Sequence, residues 1–76
     1  MLKSNILVVD DSEISREILL SMLEDEYTVY EACNGQEAVD LLTKNHEFYQ
    51  LVLLDLNMPV LDGYGVLEIM KERDWI

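Results

Sequence analysis

Two short apolar runs each end in acid: Ile6-Leu7-Val8-Val9 runs into Asp10-Asp11, and Leu51-Val52-Leu53-Leu54 runs into Asp55. Unbroken aliphatic and β-branched runs of this kind predict strands buried on both faces, the first over Asn5 to Val9 and the third over Leu51 to Leu54. After the first, Ser12 to Asp25 spaces Ile14, Ile18, Leu19, Met22 and Leu23 as one apolar helical face. Ser12 is placed to cap that helix, and Glu13 sits near the positive end of its dipole. Tyr27 to Glu31 is aromatic and β-branched but flanked by charge, which predicts a second strand near a sheet edge. Asn34-Gly35 marks a turn. Gln36 to Asn45 then places Ala38, Leu41 and Leu42 on one face of a second helix, with Asn45 suited to a left-handed C-terminal conformation. Gly65 to Arg73 sets Val66, Leu67, Ile69 and Met70 largely on one side of a third.

The predicted order is β-α-β-α-β-α. Such alternation implies an α/β fold with a parallel sheet, right-handed crossovers and helices on both faces. If the strands lie in the order 2-1-3, a topological switch point falls between the first and third, where α/β proteins place their ligand sites. Asp10, Asp11 and Asp55 then meet at one sheet edge. Two unit negative charges about 5 Å apart repel by roughly 3 kcal/mol at an effective dielectric near 20, so three together destabilise the fold unless a cation joins them. Oxygen-only ligands select Mg²⁺, Mn²⁺ or Ca²⁺ over zinc. For one Asp alone, capping or turning the chain is the commoner reason for its position. A second acidic strand end at Asp55, followed by Met58-Pro59 and Asp62-Gly63, tips the balance towards a cation and phosphoryl site.

Length and charge narrow the field further. The 76 residues can form one small core, and half of them are hydrophobic, which argues against disorder. A formal charge of −11 disfavours direct contact with nucleic acid or anionic lipid. The single cysteine, Cys33, cannot form an internal disulfide, and the chain opens without a signal-peptide pattern, so a cytoplasmic location is expected. Its apolar runs are far shorter than the roughly 20 residues needed to cross a bilayer, so no membrane partner is expected. No internal repeat or linker divides the chain, and residues 1–76 read as one unit.

Other residues have plainer explanations. Cys33 is expected to be a small buried apolar group, and His46 a solvated residue or a favourable charge at a helix C-terminus. Glu24-Asp25-Glu26 reads as a solvated turn. Arg16 is expected to pair with a neighbouring acid, and Trp75 and Ile76 look like core residues cut off from their partners.

Val8-Val9-Asp10-Asp11-Ser12 with Arg16, Ala32-Cys33-Asn34-Gly35-Gln36-Glu37-Ala38, and Leu53-Leu54-Asp55-Leu56-Asn57-Met58-Pro59 with Asp62-Gly63 together resemble the N-terminal part of a response-regulator receiver domain. These flavodoxin-like domains are the phosphoacceptors of two-component signalling. The resemblance implies that Asp55 takes a phosphoryl group from a sensor histidine kinase or phosphotransfer protein and forms a mixed anhydride. It implies that Asp10 and Asp11 hold Mg²⁺ with Asp55, Asp11 directly and Asp10 through water, and that Asn57 lends its backbone carbonyl. Met58-Pro59 and Gly63 then shape the loop, Pro59 by fixing its own φ and Gly63 by permitting a turn. The resemblance implies a module that is modified and slowly dephosphorylated rather than an enzyme, with a shift between two conformations in the whole receiver; the switch itself is expected to be lacking in these residues.

The family's fold has five strands and five helices, and strands four and five have no counterpart in this chain. Neither do the Ser/Thr ending strand four or the aromatic residue and Lys of strand five; Lys71 lies in the third helix and cannot take that role. The effector domain is likewise missing from these residues. The third strand therefore presents an open edge, and the expectation is a chain that self-associates through that edge or is unstable as a monomer. Two rival readings stay open: an Mg²⁺-dependent phosphotransfer enzyme of another fold, and a binding or assembly module that keeps the acidic pocket without using it.

Overall fold

The computed structural model describes residues 3–56, 58 and 60–75. The elements run β1 (Ser4–Val9), α1 (Glu13–Leu23), β2 (Tyr27–Ala32), α2 (Gly35–Asn45), a 3₁₀ turn at His46–Phe48, β3 (Leu51–Leu54) and α3 (Gly63–Glu72). The sheet is parallel with strand order β2-β1-β3, the flavodoxin-like arrangement expected. β1 is central, so Ile6 to Val9 are almost wholly removed from water. Burying each of these side chains contributes roughly 1.5–3 kcal/mol. Alternation along the strand sends Leu7 and Val9 to one face, where Ala38, Val39 and Leu42 of α2 and Val66 and Met70 of α3 close the core with Met58. Val8 and Leu53 face the other side, where they line a shallow depression with Leu19 of α1.

Each helix starts where side-chain chemistry can cap it. Ser12 Oγ accepts from the Ser15 amide at 3.3 Å, Asn34 Oδ1 from Glu37 at 2.8 Å, and Asp62 Oδ1 from Gly65 at 2.9 Å. Asn34-Gly35 is therefore a helix start rather than a free turn, and α3 begins two residues before the periodicity suggests. At the far end of α2, Asn45 has φ −165°, not the left-handed value expected, because the chain tightens into the 3₁₀ turn instead of stopping.

Three further expectations need correction. No residue of α1 is fully buried. Ile14, Ile18 and Met22 face outward, at 71%, 55% and 72% exposure, because the helix turns Leu19, Leu20 and Leu23 towards the sheet instead. Cys33 is exposed, its thiol donating to Glu37 across the first turn of α2. His46 sits at the C-cap of α2, the second of the two placements expected, and in addition stacks on Trp75 with ring centroids 5.3 Å apart. Trp75 in turn packs against the core and carries the Arg73 guanidinium over its ring, so it has partners within the chain. Ile76 lies outside the described residues.

Candidate functional site

The site begins with register. Val9 of β1 pairs with Leu54 of β3, so the next residue of each strand, Asp10 and Asp55, leaves the sheet at the same level. The ladders run one step further: the Asp55 amide donates to the Val9 carbonyl at 2.9 Å, and the Asp10 amide to the Ala32 carbonyl at 3.1 Å. Both acids are thus held by backbone bonds at the C-terminal edge of a rigid sheet. Asp11 follows on the turn into α1. Each of Asp10, Asp11 and Asp55 offers a carboxylate oxygen, and these oxygens lie within 4.8 Å of one another.

Their environments differ. Asp10 and Asp55 are half-buried and Asp11 is exposed, so the group opens to solvent on the Asp11 side. Asp10 Oδ1 accepts from the Ser12 amide at 2.9 Å, which restrains that carboxylate. The Asp10 carbonyl accepts from Arg16 Nη1 at 2.7 Å. Arg16 pairs with an acid as expected, but the acid is Glu31 on β2, at 3.3 Å. An all-oxygen donor set of three carboxylates, two of them on residues whose main chain is hydrogen-bonded into the sheet, suits a hard divalent cation such as Mg²⁺. The expected carbonyl of Asn57 and the restraint expected of Pro59 lie outside the described residues.

The loop that follows Asp55 is pinned at its far end. The Gly35 amide donates to the Leu61 carbonyl at 3.1 Å, and a β-carbon on Gly35 would collide with that carbonyl. Gly63 has a different role from the one expected: its φ is not positive, and it is the first residue of α3, pressed so closely on Asp55 and Leu56 that a side chain has no room. Val60 carries the unusual backbone instead, with φ 71°. In the sequence Gly35 reads only as part of a turn and Arg16 only as the partner of an unspecified acid, because their contacts join distant elements; Val60 has no readable role, since it acts through a conformation disfavoured for its residue type.

Residues 6–75 match the model of the response regulator receiver domain family. The chain belongs to that family. It is 46% identical over 76 residues to a probable transcriptional regulator, ycf27, of Porphyridium aerugineum, with 97% of this chain covered. It is 40% identical over 73 residues to the transcriptional regulatory protein SrrA of Staphylococcus aureus strain NCTC 8325 / PS 47, with 95% covered. The chain spans only 31% and 30% of the length of these two proteins. Among solved structures, the receiver domain of the Francisella response regulator 1452 superposes with a TM-score of 0.89 at 27% identity, covering 96% of this chain and 60% of that one. The receiver assignment and the parallel 2-1-3 sheet therefore stand on independent grounds.

Proposed function

We propose that this receiver chain accepts a phosphoryl group on Asp55, from a phosphohistidine on a sensor histidine kinase or phosphotransfer protein, with a divalent cation, Mg²⁺ by preference, held by Asp10, Asp11 and Asp55. The observation that carries this reading is the convergence of three carboxylates from two adjacent strand ends. Without a cation that convergence opposes folding. A bound divalent ion offsets the acids' charge and that of the phosphoryl oxygens during transfer.

The chain's own groups supply the rest. A carboxylate oxygen of Asp55 attacks phosphorus in line; the new P–O bond forms as the P–N bond to the donor imidazole breaks, leaving an acyl phosphate. The bond from the Asp55 amide to Val9 keeps the nucleophile at a fixed height on the sheet edge. Ser12 orients Asp10 through its amide. The exposed Asp11 side leaves an approach for a donor protein. Phosphorylation then alters affinity for an effector elsewhere in the whole protein. The relatives are named transcriptional regulators, and with a charge of −11 on this segment any DNA contact falls to another part of such a protein.

Intact-mass measurement after incubation with Mg²⁺ and a small acyl-phosphate donor tests the reading. One added phosphoryl group is expected, dependent on Mg²⁺ and absent from Asp55→Asn. Repeated turnover of phosphoesters without a stable adduct would instead favour a phosphotransfer enzyme, and Mg²⁺ binding with no adduct a binding module.

A further inference from the structure

Arg16 ends the first turn of α1, and its two side-chain contacts reach different elements. Nη1 donates to the Asp10 carbonyl at 2.7 Å, while Nε donates to Glu31 of β2 at 3.3 Å. Its side chain is largely enclosed, at 16% exposure, whereas Glu31 is at 41%. The Arg16 amide is also tied down, donating to the Ser12 carbonyl at 3.0 Å as α1 begins. One side chain thus links the end of β1, the first turn of α1 and β2.

Three atoms of Asp10 are engaged around that link. Its amide donates to Ala32 of β2, one Oδ accepts from Ser12, and its carbonyl accepts from Arg16. The planar guanidinium can hold two acceptors in fixed directions, which a lysine cannot. Because Glu31 balances its charge, Arg16 acts on the acids chiefly by geometry: it fixes the peptide between Asp10 and Asp11, the point from which both carboxylates project. Outer partners of this kind set the orientation of metal-binding groups without touching the ion.

We infer that Arg16 is a positioning residue for the Asp10-Asp11 pair, locking the β1–α1 turn to β2 so that the carboxylates stay arranged for a divalent cation. The cation-binding part of this inference rests on the proposed function; the locking of the turn does not.

The test combines amide hydrogen exchange of the metal-free chain with calorimetric Mg²⁺ titration, for wild type, Arg16→Met and Arg16→Lys. Arg16→Met keeps an apolar stem and removes both donors, while Arg16→Lys keeps the charge and is the milder change should the first not fold. Both variants are expected to speed exchange of the Asp10 and Ser12 amides, with Leu7 at its wild-type rate, and to weaken Mg²⁺ binding, by ~10-fold for Arg16→Met. Glu31→Gln, which leaves the carbonyl contact in place, is expected to change Mg²⁺ affinity far less. Unchanged exchange at Asp10 and Ser12 would overturn the inference, and so would equal acceleration at Leu7, since Arg16 would then be a general stabiliser. Should wild type take up no Mg²⁺, the proposed function fails, and exchange at the two amides still decides whether Arg16 locks the turn.

Discussion

Gly63, the first residue of α3, lies directly against the backbone of Asp55: a β-carbon there would collide with the Asp55 carbonyl and come within 2.7 Å of the Leu56 Cα. The helix start and the candidate phosphoacceptor are therefore in backbone contact, and the side of Asp55 facing α3 cannot relax independently. Gly63→Ala is expected to destabilise the chain by about 1–3 kcal/mol, the usual range for overpacking, and to weaken Mg²⁺ binding by shifting Asp55. Gly65→Ala is the control. Its nearest obstacle is the end of the flexible Leu61 side chain, and replacing a helical Gly by Ala gains up to about 1 kcal/mol, so a small net change is expected in urea unfolding.

Val60 is 82% exposed with φ 71°, a combination with no packing benefit to offset the strain of a β-branched residue in the left-handed region. That conformation costs roughly 1–2 kcal/mol for a residue with a β-carbon. Val60→Gly relieves it, less the extra entropy that Gly loses on folding, and is expected to raise stability by up to about 1 kcal/mol. A lower melting temperature for Val60→Gly would contradict this.

The Cys33 thiol is exposed, yet its pKa is raised, first by its hydrogen bond to Glu37 and then by desolvation and the Glu37 charge. The neutral thiol is the form that the fold favours. Its stabilising contribution is therefore present below the ordinary thiol pKa and is lost as pH rises through the higher folded value. Since the thiolate is the nucleophile, alkylation near pH 8 is expected to be slower in the folded chain than in the urea-unfolded one. Glu37→Gln should speed the folded chain's reaction; an unchanged rate would show that Glu37 does not govern the thiol.

Among the described residues, β3 has no neighbour beyond its pairing with β1, and Leu51 to Leu54 carry no charge to discourage edge pairing. The 76-residue chain is expected to associate as its concentration rises in sedimentation experiments. Leu51→Lys, at a position already 49% exposed, should reduce that association with little loss of stability. A monodisperse wild-type monomer would contradict the expectation.

Much of this arrangement was legible in sequence because it depends on local pattern. The runs Ile6–Val9 and Leu51–Leu54 mark the two strands that carry the acids, and a parallel sheet needs only their neighbouring order to bring Asp10, Asp11 and Asp55 together. Ser12 is likewise a cap that its residue type announces. What pattern could not supply was rotation and long-range contact. The α1 sequence has enough apolar residues for more than one face, and packing chose Leu19, Leu20 and Leu23 over Ile14 and Met22. Cys33 reads as a core residue until Glu37, one turn into α2, is placed beside it. The partner of Arg16 depended on bringing Glu31 alongside β1, which only the sheet order provides.

The most direct test of the account is titration of the chain with paramagnetic Mn²⁺, followed through its amide resonances. Saturable broadening centred on Asp10, Asp11 and Asp55, displaced by excess Mg²⁺ and lost in Asp11→Asn, is expected. With a formal charge of −11, the contrary result is equally readable: broadening spread over exposed acids such as Glu24, Asp25 and Glu26, and unaffected by Asp11→Asn, would mean diffuse attraction to an acidic surface and no assembled cation site.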